Sequence, residues 1–172
     1  MSQRRLFTSS SVMLGPPDKL CDRISDALVD AHLSVDPEAR VRAEAAAAGQ
    51  VIFLVTDIDS RAEVDITGAV RRTIESTHYF PQDLDADRCA ILSQSSAMTP
   101  PWGGRRRKVE ARGDDRTALE QTTVFGYACS DTPERMPMAI QIAHRITRAT
   151  GALVVRGNLP GLGPDGTVRV TV

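Results

Sequence analysis

Asp18 is the first residue along the chain whose type and position suggest chemistry. It follows Gly15-Pro16-Pro17, and Pro17 suits the first position of a helix because its missing N–H would be unpaired there anyway. A carboxylate in that first turn can act as a partner for the positive end of the helix dipole. It can equally hold a hard cation bridged to phosphate oxygens. Further on, Arg105-Arg106-Arg107-Lys108 is a basic run. It is able to meet phosphate, although a solvated loop is the more usual state of a short charge run. His32, His78 and His144 show no metal-ligand spacing with one another or with the cysteines. Cys21, Cys89 and Cys129 are odd in number and far apart, with no CxxC pair. They read as buried free thiols of a reducing, cytoplasmic compartment.

Composition bounds the function classes. The 172 residues carry 21 Lys+Arg against 22 Asp+Glu, a net charge of -1. That balance removes any global electrostatic case for nucleic acid or an anionic membrane. With 41% hydrophobic and 25% charged residues, the chain reads as globular rather than disordered. Only 4% of residues are aromatic, which argues against a base- or sugar-stacking surface. The longest apolar run, Val51-Ile52-Phe53-Leu54-Val55, is far short of the about 20 residues of a membrane span and suits a buried strand. The N-terminus has Arg4-Arg5 but no apolar run after them, so it does not read as a signal peptide.

The elements that would position these residues follow from periodicity. Residues 5–8 read as a first strand, followed by a Ser- and Gly/Pro-rich loop. A helix then starts near Pro17, with Leu20, Ile24, Ala27, Leu28 and Ala31 on one face; Asp36-Pro37 ends it. Residues 40–48 and 51–58 read as a hairpin closed by Gly49-Gln50. Residues 65–79 form a second amphipathic helix with Ile66, Ala69, Val70 and Ile74 inward, and 88–93 another strand. Residues 94–119, with Pro100-Pro101 and Gly103-Gly104, read as a mobile loop. Then come a strand at 122–129, a helix at 137–150, a turn at 157–166 and a strand at 167–172. A chain that stops inside a strand leaves backbone groups wanting a neighbour, which predicts that the protein is not a monomer. The fold class is α/β, an α+β two-layer arrangement with helices packed on one face of a mainly antiparallel sheet.

Long ordered motifs run through this layout. Leu6-Phe7-Thr8-Ser9-Ser10-Ser11-Val12 precedes Gly15-Pro16-Pro17-Asp18-Lys19-Leu20-Cys21-Asp22. Arg40-Val41-Arg42-Ala43-Glu44, Phe125-Gly126-Tyr127-Ala128, Ala143-His144-Arg145 and Pro164-Asp165-Gly166 follow in order. Together they resemble S-adenosylmethionine synthetase (methionine adenosyltransferase) over nearly the whole chain, in a truncated and diverged form. The resemblance implies a transferase joining methionine to the adenosyl group of ATP, with Mg²⁺ and K⁺ as cofactors and ATP or S-adenosylmethionine as ligand. It also implies active sites formed between subunits. The implied layout is an N-terminal-like domain at 1–97, a loop or linker at 98–118, and an incomplete start of the central domain at 119–172. Missing family segments would come from a homo-oligomer or a second chain.

Carried over residue by residue, Asp18 matches the family's magnesium aspartate, and Glu44 matches its potassium glutamate or is a strand carboxylate facing solvent. Lys19 also matches, or is a solvated helix-face lysine. Pro16 stands at the catalytic histidine, and proline offers neither a side-chain donor nor an N–H. Asp57 falls at the glutamate that binds methionine's amino group, or is a plain strand-end aspartate. Met98 falls at a substrate-contacting glutamine, and Trp102 nearby could cover an adenine or anchor a loop. Glu120 replaces the aspartate of the family's Asp-Gln-Gly, Gln121 is kept, and Thr122 replaces the glycine. Asp165, Gly166 and Thr167 fall on its ATP-contacting Asp-Gly-Lys, with the lysine lost. His144 has a packing or capping role. The losses at Pro16 and Thr167 both remove phosphate-handling groups, each a contact of the kind that contributes to transition-state stabilisation. The expectation is a protein unable to convert ATP and methionine alone. The alternative is a diverged adenosyltransferase, or an enzyme that binds an ATP- or adenosine-type ligand in a repurposed pocket.

Overall fold

The computed structural model describes residues 6–97 and 122–172. Its elements run β1 (Thr8–Val12), α1 (Pro17–Leu33), β2 (Arg40–Ala48), β3 (Val51–Asp59), α2 (Ile66–Glu75), β4 (Ala90–Ala97), α3 (Met138–Val155) and β5 (Thr167–Thr171). They form a mixed α/β fold with two sheets. One has the order β2-β3-β4, antiparallel between β2 and β3 and parallel between β3 and β4. The other is the antiparallel pair β1-β5, with Thr8 opposite Thr171 and Val12 opposite Thr167.

Period-two alternation in β3 sets the first layer. Ile52, Leu54 and Thr56 point to the helices and are buried, while Phe53 and Val55 point away and are exposed. The alanines of β2 give α1 a flat seat: Ala43, Ala45 and Ala47 pack against the core formed by Leu20, Ile24, Leu28, Val70 and Ile74. Gly49, at φ 55°, turns the hairpin so that Ala48 faces Val51; glycine adopts that left-handed conformation readily. The Asp65 carboxylate accepts from Gly68 N at 2.9 Å and caps α2.

Several boundaries differ from the sequence reading. The first strand lies at Thr8–Val12 rather than 5–8, because its register is set by β5. α2 stops at Glu75, and Thr77 and Tyr79 lie beyond it. β4 continues to Ala97, four residues into the stretch read as loop, because β3 supplies a parallel partner as far as Ile58. α3 continues to Val155. On α1 the fourth buried position is His32 rather than an alanine. Residues 122–129 form no strand. A strand exists only by pairing, and among the described residues 122–128 make no backbone hydrogen bond. Of the three free cysteines only Cys89 is buried, with Cys21 and Cys129 half-buried.

Candidate functional site at the start of α1

β1 leads into the turn that starts α1, and the turn before β5 packs against it. Met13 N donates to Gly166 O at 2.8 Å and Gly15 N to Pro164 O at 3.0 Å. A Cβ at Gly15 would lie 2.6 Å from the Pro164 carbonyl carbon and 2.7 Å from Asp165 N. Only glycine fits that approach of two backbones. Pro16 is the residue preceding α1, at φ -55° and ψ 139°, and no side chain caps the helix. Leu20 N closes the first turn on Pro16 O at 3.0 Å. Asp18 and Lys19 are exposed in that turn. Tyr79 hydroxyl donates to Gly15 O from below. Burial, and next the Asp165 carboxylate, push its phenol up to about 12. A cleft of about 380 Å³ opens here, lined by Gly15, Pro17, Tyr79, Asp83, Pro164 and Asp165 among others.

A second group lies on the open face of β2-β3-β4. Glu44 stands opposite Val55 and Asp57 opposite Arg42, so both carboxylates share the face that carries Phe53 and Val55. Arg42 Nε lies 3.9 Å from Glu44 Oε1, with both side chains mostly exposed. Ser96 hydroxyl donates to the Asp57 carboxylate across the parallel pair.

The start of α1 and the open sheet face correspond to parts of a known enzyme family. Residues 4–100 match the S-adenosylmethionine synthetase N-terminal domain and residues 115–172 its central domain. The S-adenosylmethionine synthase of Clostridium tetani is 41% identical over 98% of this chain and 46% of its own length. That of Thermus thermophilus is 40% identical over the whole of this chain and 46% of its own length. That of Gloeothece citriformis is 39% identical over the whole chain and 44% of its own. The chain belongs to the S-adenosylmethionine synthetase family. It spans about half the length of these curated relatives.

The fold thus divides the candidate residues of this family chain into two groups. The 13–166 and 15–164 backbone bonds bring the turn holding Asp165 and Gly166 against the turn that ends at Pro16, while Asp18 and Lys19 follow, exposed, in the first turn of α1. Thr167 opens β5 opposite Val12. Glu44 and Asp57 sit apart from them on the sheet. Met98, Glu120 and Gln121, with Trp102 and the run from Arg105 to Lys108, lie outside the described residues. So does most of the 94–119 stretch and its expected mobility.

Asp18, exposed in the first turn of α1, offers the carboxylate chemistry that suits Mg²⁺, which is commonly held by one or two carboxylates and completed by phosphate and water. Among the described residues no three His, Cys, Asp or Glu side chains gather into a metal cluster, so the remaining ligands of a cation here would come from the substrate or water. Glu44 already shares its charge with the Arg42 guanidinium. Among the described residues no helix is long and apolar enough to cross a membrane.

Sequence reasoning missed three parts of this site. Gly15 looked like an ordinary loop residue, and its constraint comes from Pro164, distant in sequence. Helical periodicity alone makes Tyr79 the end of a helix. Ser11 looked like one serine of three, yet its hydroxyl lies 2.8 Å from His144 Nδ1 and 3.1 Å from Thr147 Oγ1. That contact gives His144 its packing role and fastens β1 to α3. The strand alternation of residues 9–11 was the available signal, since it puts Ser11 and Ser9 on one face.

Proposed function

We propose that this chain is an S-adenosylmethionine synthetase-family polypeptide that does not convert ATP and methionine by itself and works as a subunit of an assembly. The observation that carries this reading is Pro16. It precedes α1 with no side-chain hydrogen bond, at the position where the resemblance implies the family's catalytic histidine. Proline cannot donate to phosphate oxygens from either its ring or its backbone nitrogen. Thr167 leaves an uncharged hydroxyl where the resemblance implies a lysine. What remains is a polar turn in which Asp18 would hold Mg²⁺ together with ligand phosphates, while Asp165, Gly166 and Thr167 would face an ATP-like ligand. The cation would supply Lewis-acid neutralisation of phosphate charge when bound. Glu44 would serve a K⁺ ion only in competition with Arg42. Asp57, held by Ser96, would face a substrate amine. Met98, Glu120 and Gln121 belong to the substrate side in this reading. The domain layout of 1–97, 98–118 and 119–172 is part of it, as is a cytoplasmic, reducing setting.

The open sheet face supports the assembly. Phe53, Val55 and Leu92 are exposed together on it, and Arg42 and Asp57 add opposite charges beside them. A surface carrying both charge signs and an apolar centre can pair with its own copy about a two-fold axis. A second copy of the chain is therefore the proposed occupant.

The purified chain, given ATP, methionine, Mg²⁺ and K⁺, is expected to make no S-adenosylmethionine above a no-enzyme control. Product that disappears in the Asp18→Ala variant would overturn the reading. The cleft beside Gly15 favours one alternative, a repurposed pocket for an adenosine-containing ligand. Saturable binding of ATP by calorimetry without product formation would support that alternative.

A further inference from the structure

The segment that follows α2 touches the candidate site twice. Tyr79 hydroxyl donates to Gly15 O. Phe80 lies against the turn before β5, since a Cβ at Gly163 would be 3.4 Å from its Cε2. Two neighbours in sequence thus meet both of the turns that the 15–164 backbone bond joins. The chain arrives there by a local device. At the end of α2, Thr77 N donates to Ile74 O at 3.0 Å and His78 N to Glu75 O at 3.1 Å. His78 then takes φ 62°, the left-handed conformation that commonly ends a helix and turns the chain aside. Histidine is one of the few non-glycine residues enriched in it. Beyond Phe80 the segment is fixed again by the β2–β3 hairpin. Gln50 Nε2 donates to Pro81 O at 3.2 Å, and Gln50 Oε1 accepts from Asp85 N at 3.0 Å.

We propose that Tyr79 is a positioning residue of the candidate site, and that with Phe80 it clasps the 163–166 turn to the start of α1. This deepens the ligand reading above and rests on it for what the clasp positions, namely Asp165 and Gly166 relative to Asp18. Gly15 is the pivot. It is buried, its N–H donates to Pro164 O, and its carbonyl accepts from the Tyr79 phenol. Both backbone groups of one residue are committed to two segments far apart in sequence. A buried carbonyl that loses its donor keeps the full penalty of desolvation, so removing the phenol favours opening of the turn. The opening would pass directly to Pro164, and through Met13 to Gly166, because the 13–166 and 15–164 bonds flank Gly15 on the same short stretch. Burial and next the Asp165 carboxylate push the phenol up to about 12, so the donor stays protonated throughout the neutral range. The ring of Phe80 supplies a wall behind Gly163 but no polar contact. The hydroxyl of Tyr79 is therefore the part of the clasp that sets the turn's place.

Tyr79→Phe keeps the ring and removes only the hydroxyl. In the full chain, amide hydrogen exchange at Met13 and Gly15 should quicken at least about tenfold, while that at Ile52 and Leu54 in β3 should change less than about twofold. His78→Val leaves Tyr79 in place but puts a β-branched residue where the left-handed turn is strained. It should quicken the same two amides, and His78→Gly should not. Calorimetry with ATP and Mg²⁺ as the probe should show about tenfold weaker binding to Tyr79→Phe than to the unsubstituted chain, the usual scale for losing a group that orients a ligand-holding one. Unchanged exchange at Met13 and Gly15 in Tyr79→Phe would overturn the clasp. So would equal quickening in β3, which is a general loss of stability, and so would ATP affinity that survives the faster exchange. Equal exchange in the two His78 variants would refute the aiming of Tyr79 by the turn, and with it the proposal. No binding of ATP to the unsubstituted chain would overturn the ligand reading instead, and the exchange at Met13 and Gly15 then decides the clasp by itself.

Discussion

Between α1, α2 and β3 the buried side chains are large: Leu20, Ile24, Leu28, Ile52, Leu54 and Ile74. Beneath α3 they are small or polar: Ala139, Ala143, Thr147 and, from β1, Ser11. The first unit is therefore held by apolar burial of roughly 1.5–3 kcal/mol for each large side chain removed from water. The second is held by the β1-β5 ladder and the Ser11–His144–Thr147 hydrogen bonds. Its larger apolar side chains, Met138, Ile142, Ile146 and Leu153, remain exposed along α3. The difference shows why the α1 start is built as it is. Its helix belongs to the strongly packed unit, while the strand leading into it and the Pro164–Gly166 turn belong to the weakly packed one. The candidate site sits on the seam.

The largest expected effect tests the packed unit. Ile24 is 0% exposed, and Ile24→Ala should lower the unfolding free energy by about 2–5 kcal/mol through lost transfer and a residual cavity. Ile146→Ala, on the exposed face of α3, should change it by less than about 0.5 kcal/mol. Urea unfolding of both variants decides it; equal losses would erase the contrast between the units.

A smaller effect tests the hydroxyl network. Ser11→Ala strips His144 Nδ1 of its 2.8 Å partner and should cost about 1–3 kcal/mol. Hydrogen exchange of the β1 and β5 amides should rise while that of β3 stays protected. Uniform loosening would mean that the two units melt as one.

The smallest effect is on acid stability. Asp36 accepts from Arg61 N at 2.9 Å, Arg61 Nη2 at 3.1 Å and Glu38 N at 3.2 Å. The hydrogen bond from the Arg61 backbone, then that from its side chain, lower its carboxyl to about 2. The folded value lies below an unfolded carboxyl near about 4, so this stabilisation is present above pH about 4 and is lost as pH falls toward about 2. Asp36→Asn should flatten the thermal-melt profile over that window. Because Arg61 is largely exposed, salt screening keeps the effect small. An unchanged acid limb would show that the clamp does not tie the α1–β2 loop to the packed unit.

Much of the packed unit was written in the residues. The spacing of Leu20, Ile24 and Leu28, the alternation around Leu54 and the turn at Gly49 are local patterns, and local patterns fix the helix, the strands and the hairpin. The ordered motifs, from Leu6 to Asp22 through Phe125–Ala128 to Pro164–Gly166, together also carried the family resemblance. Other features depended on contacts between residues far apart in sequence. Only β5 tells β1 where to begin, and only β3 tells β4 to run on to Ala97. Thr122 to Cys129 had every local mark of a strand and is not one, because the ladder requires a neighbour that the described chain does not bring to it. Gly15 became indispensable only when Pro164 arrived 2.6 Å from where its Cβ would be, and Tyr79 acquired a site role only through the Gly15 carbonyl. Periodicity is an attribute of one segment and can be read from it. Register, close approach and hydrogen-bond partnership are attributes of two segments, and folding alone decides which two meet.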